Sequence, residues 1–464
     1  MLSTDASTYD EHGREMSASG EQHSGQVRMA YRLARSHVHR LLYVHGIGWH
    51  VYDSTRWAED SRGGAQRAVL EVLREALAES VGDKQLRADV AKCESKAGVE
   101  GVLGIAAALV EFAATVDDLD ADPYLLNVAN GTLDLRTMTL RDHDPADRLT
   151  KATQAAYRPD ADPSVWLEFL GSVLPDADER AYLQRVVGQA LYGRVTEHLF
   201  PVLIGSGANG KSTMYGAVTA ALGDYAAVID PSLLMASEKG RAPGPELMEL
   251  MGARLVIGSE TEEGRKLDEP TMKRLTGGDA LTARRLYREP VTWVPSHQIV
   301  YVTNHLPEVK GNDPAVWRRV RVVPFDVVVP VAERDPMLPE RLLLHADAVL
   351  SWALEGYRDY REHGMREPAS VVRATDDYQA DSDAVGRFIA DGCMTSPVST
   401  ATTRELFNAW KSWAIADGSE VISEKALGKE LDRRGYPAKR TNRGAVRTGI
   451  APFATDETTG GDGW

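Results

Sequence analysis

The run Gly205-Ser206-Gly207-Ala208-Asn209-Gly210-Lys211-Ser212 fits the spacing G-x-x-x-x-G-K-[ST], directly after the apolar stretch Leu199 to Ile204 and ahead of a helix-forming stretch from Lys211 to Leu222. Strand, tight loop and helix in that order confine the segment to an α/β sheet, with the loop at the carboxyl end of a strand. Glycines let the backbone wrap phosphate oxygens, and amides at the helix start point at the anion. Lys211 neutralises β/γ charge, and the Ser212 hydroxyl can hold Mg²⁺. The pattern predicts a nucleotide cradle made of Gly205, Ser206, Gly207, Ala208, Asn209, Gly210, Lys211, Ser212 and Thr213.

A cradle alone does not say what becomes of the nucleotide, so the carboxyl ends of later strands matter. Arg254 to Gly258 reads as a buried strand leading into Ser259-Glu260, where a carboxylate can polarise water and support Mg²⁺. Glu262 and Glu263 follow closely and leave the register open. A further strand, Gln298 to Thr303, ends in Asn304, placed to orient water or contact a γ-phosphate. Arg318 and Arg319 then precede the strand Val320 to Phe325, where a guanidinium can stabilise transferred phosphoryl charge, in trans if a neighbouring subunit supplies it. Between acid and Asn304, the segment Lys273 to Trp293 interleaves Lys273, Arg284, Arg285 and Arg288 with Tyr287 and Trp293. Cations for phosphates beside rings for stacking suit a hairpin that tracks a single strand of nucleic acid.

Composition bounds the rest. The 464 residues are 43% hydrophobic with a formal charge of −15, so a nucleic-acid contact has to be local rather than spread over the surface. No apolar run approaches the ~18–20 residues of a membrane span, and Met1 to Gln26 has no apolar signal core, so the expectation is a cytoplasmic protein without a membrane partner. Only Cys93 and Cys393 are present, too few for a disulfide scaffold or zinc ribbon. Residues 1–26 and 455–464 read as polar tails. Residues 27–160 read as an α+β accessory domain, with helical periodicity at Val69, Leu70, Leu73 and Leu77, a second apolar run over Val99 to Val116, and an Asn130-Gly131 hairpin turn. Residues 161–365 read as the nucleotide-binding α/β core, the expected ATPase. Residues 366–454 carry helices over Arg404–Ile415 and Ser423–Arg434 and a basic stretch to Arg447, the pattern of a winged helix. Ten Lys or Arg stand against six Asp or Glu between Ala401 and Ile450.

The ordered set GxxxNGKS, apolar–Ser–Glu, LTGGD-x-L-x-ARRLY, TNxxP and WRR-x-R-x-x-PF resembles the superfamily 3 helicases, in particular the phage and plasmid primase-helicase family related to the poxvirus replication protein. Gly48 to Asp53 with Arg56-Trp57, and Asn130 to Asp134, resemble the amino-terminal domain that accompanies that helicase. The resemblance implies an α/β fold with an AAA+-like P-loop ATPase core, an α+β amino-terminal domain and a winged-helix-like carboxyl-terminal domain. It further implies ATP and Mg²⁺ as cofactors, single-stranded or forked DNA as partner, a homo-oligomeric ring, usually a hexamer, and 3′ to 5′ translocation at a replication fork. A separate primase or initiator would be a further partner, and the host cytoplasm the location for a phage-encoded chain. Residue by residue, Lys211 and Ser212 take phosphate and Mg²⁺, Glu260 is the Walker B acid and second metal contact, Asn304 is the sensor, and Arg319, or Arg318, is the finger. Asp118-Leu119-Asp120, the one acid pair that suggests a primase metal site, reads as a helix-terminal charge run, so primer synthesis is not expected. A DNA-binding nucleotide switch that loads partners without unwinding shares the cradle but does not require the basic aromatic hairpin or a trans arginine.

Overall fold

The computed structural model describes residues 21–236, 244–259, 263–286, 288–309, 313–441 and 444–453. Helix Gly25–His37 places Met29, Ala30, Leu33 and Ala34 three and four apart, and all are buried against helices Gly64–Glu79, Lys84–Cys93 and Lys96–Ala106. Asp83 and Ser95 cap the latter two by accepting from the amides of Leu86 and Gly98. On helix Gly64–Glu79, Val69 and Leu73 face the core, whereas Leu70 and Leu77 are exposed. The helix expected over Val99–Val116 stops at Ala106, because Phe112 is buried in the core and its carbonyl accepts from Tyr43 N at 2.7 Å. Strands β1 (Leu41–Val44), β2 (Gly48–Tyr52), β3 (Trp57–Glu59) and β4 (Ala113–Ala114) form a sheet in the order β3-β2-β1-β4.

The Asn130-Gly131 turn joins β5 (Leu125–Val128) to β6 (Gly131–Asp134), and β7 (Thr139–Arg141) completes the sheet. Only glycine fits at 131, where φ is +150° and a Cβ would lie 2.3 Å from the Arg141 carbonyl. Leu126, Val128, Leu133 and Leu135 of this sheet are buried in the core of the next layer with Trp166, Phe169 and Leu203, not in the core centred on Met29 and Leu33.

That layer is a fully parallel sheet of β8 (Phe200–Ile204), β9 (Ala226–Ile229), β10 (Leu255–Ser259), β13 (Gln298–Thr303) and β14 (Val320–Pro324), in the order β14-β8-β13-β10-β9. Its inner strands are largely apolar because both faces are covered. Leu203, Ile257, Val300 and Val302 face helices Ala177–Ala190, Lys211–Leu222 and Ala346–His363, while Val202, Val256, Ile299 and Tyr301 face the opposite side. Gly356 lets two of those helices meet backbone to backbone, since a Cβ there would sit 2.0 Å from the Gln184 carbonyl. On the opposite face the hairpin β11 (Leu281–Ala283) and β12 (Val291–Trp293) shares a core with Leu42, Val44 and Trp57 of the amino-terminal sheet.

The carboxyl-terminal unit has its own core around Phe388, Leu406, Trp410, Leu427, Leu431 and Ile450. Its order is helix Ala384–Gly392, β15 (Cys393–Thr402), helices Thr403–Asp417 and Glu424–Arg433, β16 (Ala438–Thr441) and β17 (Gly444–Pro452), with the strands antiparallel as β15-β17-β16. A capping box of Thr402 and Glu405 starts the second helix. No described helix is long and apolar enough to cross a membrane.

Candidate functional site

Because the five strands are parallel, their carboxyl ends line one edge of the sheet, and the register brings particular residues together there. Ile204 pairs with Thr303, and Pro324 pairs with Ile204 on the other side. Gly205, Asn304 and Phe325 are therefore the next residues on three adjacent strands. The loop after β8 turns through left-handed backbone at Gly207 (φ +93°), Ala208 (φ +50°) and Gly210 (φ +81°). It is braced from outside: Asn209, buried, donates from Nδ2 to the Phe325 carbonyl at 3.2 Å, and Val329 N donates to the Ala208 carbonyl at 2.9 Å. Gly205 has no room for a side chain, since a Cβ would lie 2.1 Å from Asn209 Nδ2 and 2.4 Å from the Phe325 carbonyl.

Lys211 is 4% exposed, and its Nζ donates to the Gly205 carbonyl at 2.6 Å and to Asn304 Oδ1 at 3.2 Å. The loop lysine and the residue ending β13 are thus in direct contact, with Ser212 exposed and Thr213 half-buried beside them on the first turn of helix Lys211–Leu222. Thr303 Oγ1 shapes the turn that carries Asn304 by donating to the His305 carbonyl and accepting from His305 N. Strand β10 ends at Ser259, opposite Val302. Glu260, the expected acid, and Glu262 lie outside the described residues; Glu263 is exposed.

The arginine pair is at the other end of the sheet. Val320 stands opposite Phe200, so Arg318 and Arg319 precede the amino end of β14, about 17 Å of strand from the glycine-rich loop at ~3.3 Å per residue. Arg318 is exposed. Arg319 is 6% exposed; its Nη1 donates to the Ala315 carbonyl at 2.6 Å, while its Nε has no hydrogen-bond partner among the described residues. Burial, then the neighbouring Arg318 charge, holds its pKa below the usual guanidinium value.

The basic segment divides in two. Lys273 is on helix Glu269–Thr276, ion-paired with Asp313 at 2.5 Å and Glu269 at 3.6 Å. Arg284, Arg285 and Arg288 are exposed at the β11–β12 turn, and Tyr287 lies outside the described residues. Arg285 forms a two-pronged pair with Glu59 of β3, at 2.6 and 2.8 Å, and this pairing lowers the Glu59 pKa. Trp293 is buried core rather than a stacking platform. Two partnerships escaped the sequence: Glu59, whose relation to a residue 226 positions away has no local signal, and the brace from Asn209 to Phe325. Asp118 accepts from Thr115 and Asp120 is half-buried, accepting from Thr150 N and Oγ1; among the described residues there is no cluster of three or more potential metal ligands.

These features define a mixed α/β protein with a parallel sheet and a glycine-rich loop at the carboxyl end of β8. Residues 30–175 match the family described as D5 N terminal like, and residues 203–319 match a family of unknown function (DUF5906). A protein named "Putative helicase" from Acanthamoeba polyphaga mimivirus is 31% identical over 59% of this chain and 31% of its own length. Another of that name from Frog virus 3 is 25% identical over 68% of this chain and 41% of its own. A protein named "Putative primase" from African swine fever virus is 24% identical over 68% and 36%. Over these segments the chain is similar to D5-like primase-helicases. It spans less than half the length of these relatives. Among solved structures, the apo form of the NrS-1 C terminal region covers 64% of this chain and 77% of its own at 11% identity, with a TM-score of 0.38.

Proposed function

We propose that the chain is the ATP-driven motor of a DNA replication machinery, a Mg²⁺-dependent ATPase of the AAA+-like P-loop class that translocates on single-stranded or forked DNA. The observation that carries this reading is the meeting of Lys211 with Gly205 and Asn304 where β8 and β13 end side by side. The first strand in the chain lies between the last two, which puts a loop lysine and a sensing amide on neighbouring strands. The loop suits a nucleoside triphosphate: left-handed backbone at Gly207, Ala208 and Gly210 allows its amides to curl around phosphate oxygens, Lys211 supplies the cation for β/γ phosphates, and Ser212 supplies a hydroxyl for Mg²⁺. Bound Mg²⁺ adds charge neutralisation at the transferred phosphate. Asn304 Oδ1 orients the lysine ammonium, and Glu260 is the residue we assign to polarise water.

Arg318 and Arg319 stand too far along the sheet to serve their own loop, which supports a ring in which one subunit's Arg319 reaches its neighbour's nucleotide. Hexamer number, 3′ to 5′ polarity and a separate primase partner belong to the same proposal and rest on the resemblance to superfamily 3 helicases. In the carboxyl-terminal unit, the order helix, strand, helix, helix, strand, strand supports a winged-helix module. Purified protein should hydrolyse ATP with Mg²⁺, faster with single-stranded DNA, and displace a strand from a fork. Lys211→Ala should lose nucleotide binding, while Glu260→Gln should bind ATP without turning it over. Tight ATP binding with no displacement of either fork polarity would replace the motor by the nucleotide-switch reading.

A further inference from the structure

We infer that the carboxyl-terminal unit binds double-stranded DNA through the exposed stripe of helix Glu424–Arg433 and the adjoining strand β16, a reading that rests on the winged-helix proposal above. Within this unit the ion pairs account for most of the charge: Arg387 with Asp417, Arg404 with Glu424, Arg433 and Arg434 with Glu430, and Arg447 with Asp432. Every acid on helix Glu424–Arg433 is consumed in this way. Lys425, Lys429, Lys439 and Arg440 are exposed and form no ion pair among the described residues.

Lys425, Lys429 and Arg440 are placed by the helix and by the strand register, while Lys439 is on the opposite sheet face from Arg440. Lys425 and Lys429 are four apart, one above the other on the helix stripe opposite the buried Leu427 and Leu431. Arg447 fixes the strands to that helix: Nη2 donates to the Gly428 carbonyl at 3.0 Å, Nη1 to Asp432 at 2.7 Å and Nε to Thr403 Oγ1 at 3.1 Å. In the β16–β17 ladder Ala438 pairs with Arg447 and Arg440 with Ala445, so Arg440 stands on the sheet face that Arg447 presses against the helix. Lys425 and Lys429 thus stand on the outer ridge of the helix, and Arg440 on the face of the sheet that Arg447 ties to that helix.

A ridge of one helix, about 10–12 Å across with its side chains, matches the ~12 Å width of a B-form major groove. Duplex fits better than a single strand because the ridge lacks stacking platforms. Tyr436, the only aromatic between Glu424 and Thr441, packs against the core with Phe407 and Trp413. The exposed helix stripe also lacks Asn and Gln, the amides that read adenine, so binding through it is set by backbone charge rather than sequence.

Fluorescence anisotropy on the full chain with a labelled 20-base-pair duplex, and with one of its strands alone, tests this. The variant Lys425→Ala/Lys429→Ala/Arg440→Ala should lose at least tenfold in duplex affinity near 0.1 M salt. The slope of log K against log salt should shrink by about 2–3, for three phosphate contacts at ~0.9 each. Single-strand affinity should change by less than about twofold, and unrelated duplex sequences should bind alike. Thermal unfolding of the variant establishes that it is folded; if the triple change impairs folding, Lys429→Glu alone should still cost several-fold on duplex. Unaltered duplex binding overturns the inference, and an equal loss on both probes reassigns the ridge to single strands. Lys211→Ala should leave duplex binding intact, so failure of the motor reading and failure of this one give different results.

Discussion

His297, just before β13, is 2% exposed, and neither ring nitrogen has a hydrogen-bond partner among the described residues. Burial pushes its pKa down from 6.5 to about 4, a shift that the nearby carbonyls of Leu275 and Leu250 only partly oppose. In the unfolded chain the imidazole returns to its ordinary value, so between pH 6.5 and 4 the unfolded state binds the proton and the folded state does not. Stability contributed by the neutral ring is present above pH 6.5 and is lost as pH falls through that window. At 1.36 kcal/mol per unit, the 2.5-unit difference corresponds to about 3 kcal/mol. The perturbation is His297→Leu, which removes both the titration and two buried unpartnered nitrogens. Urea unfolding at half-unit pH steps, following the transition of the parallel-sheet unit, should show wild type losing about 3 kcal/mol more than the variant between pH 6.5 and 4. At pH 7.5 the two should agree within about 1 kcal/mol, since replacing an unpaired polar group by an apolar one of similar size is nearly neutral. Because β13 ends in Asn304, nucleotide affinity of wild type should weaken over the same interval. Parallel pH profiles for the two proteins would refute the account of a buried neutral imidazole.

Glu59→Gln should free Arg285 and raise single-strand affinity about two- to fivefold at low salt, as expected for an exposed pair worth ~0.2–1 kcal/mol; the gain should vanish in Glu59→Gln/Arg285→Ala, and a gain that survives the second change counts against the pairing. Gly205→Ala should cost at least tenfold in ATP affinity by fluorescent-nucleotide titration, because its Cβ meets the Phe325 backbone; affinity within twofold of wild type contradicts the close packing. Mixing inactive Arg319→Ala with inactive Lys211→Ala should restore part of the ATPase through composite sites, and no recovery despite proven subunit exchange argues for a role within one chain. Arg284→Ala should lower DNA stimulation while sparing basal hydrolysis, and normal unwinding by that variant would remove the hairpin from translocation.

Four of the five parallel strands were legible as apolar runs because parallel strands covered on both faces need no alternation, as Leu203, Val256, Ile299 and Val322 show. The edge strand β9 was not, since Ala226-Ala227-Val228-Ile229 is short and Val228 is exposed. The tight loop after β8 could be read from letters alone because its left-handed backbone at Gly207 and Gly210 favours glycine. Side-chain partnerships could not: Lys273 and Arg285 look alike in sequence, and only tertiary placement ties one to Asp313 and the other to Glu59. The helix over Val99–Val116 was overextended because apolar spacing continues past Ala106 into Phe112, which the core claims in extended form. Asn130-Gly131 announced its hairpin, but nothing local said which core its apolar face would join.

The placement of β8 has a consequence for how the chain is made. It is the first strand of the parallel sheet to leave the ribosome, yet its two lateral partners, β13 and β14, begin roughly 100 residues later. At about 5–20 residues per second, Phe200–Ile204 waits ~5–20 s with both backbone edges unpaired and five apolar side chains unlayered. Helices Ala177–Ala190 and Lys211–Leu222, synthesised on either side of it, can cover one face in that interval and leave the edges open. Slowing elongation between β8 and β14 should therefore lengthen the period of vulnerability to aggregation and chaperone capture, whereas the same pause placed after Pro324 should not.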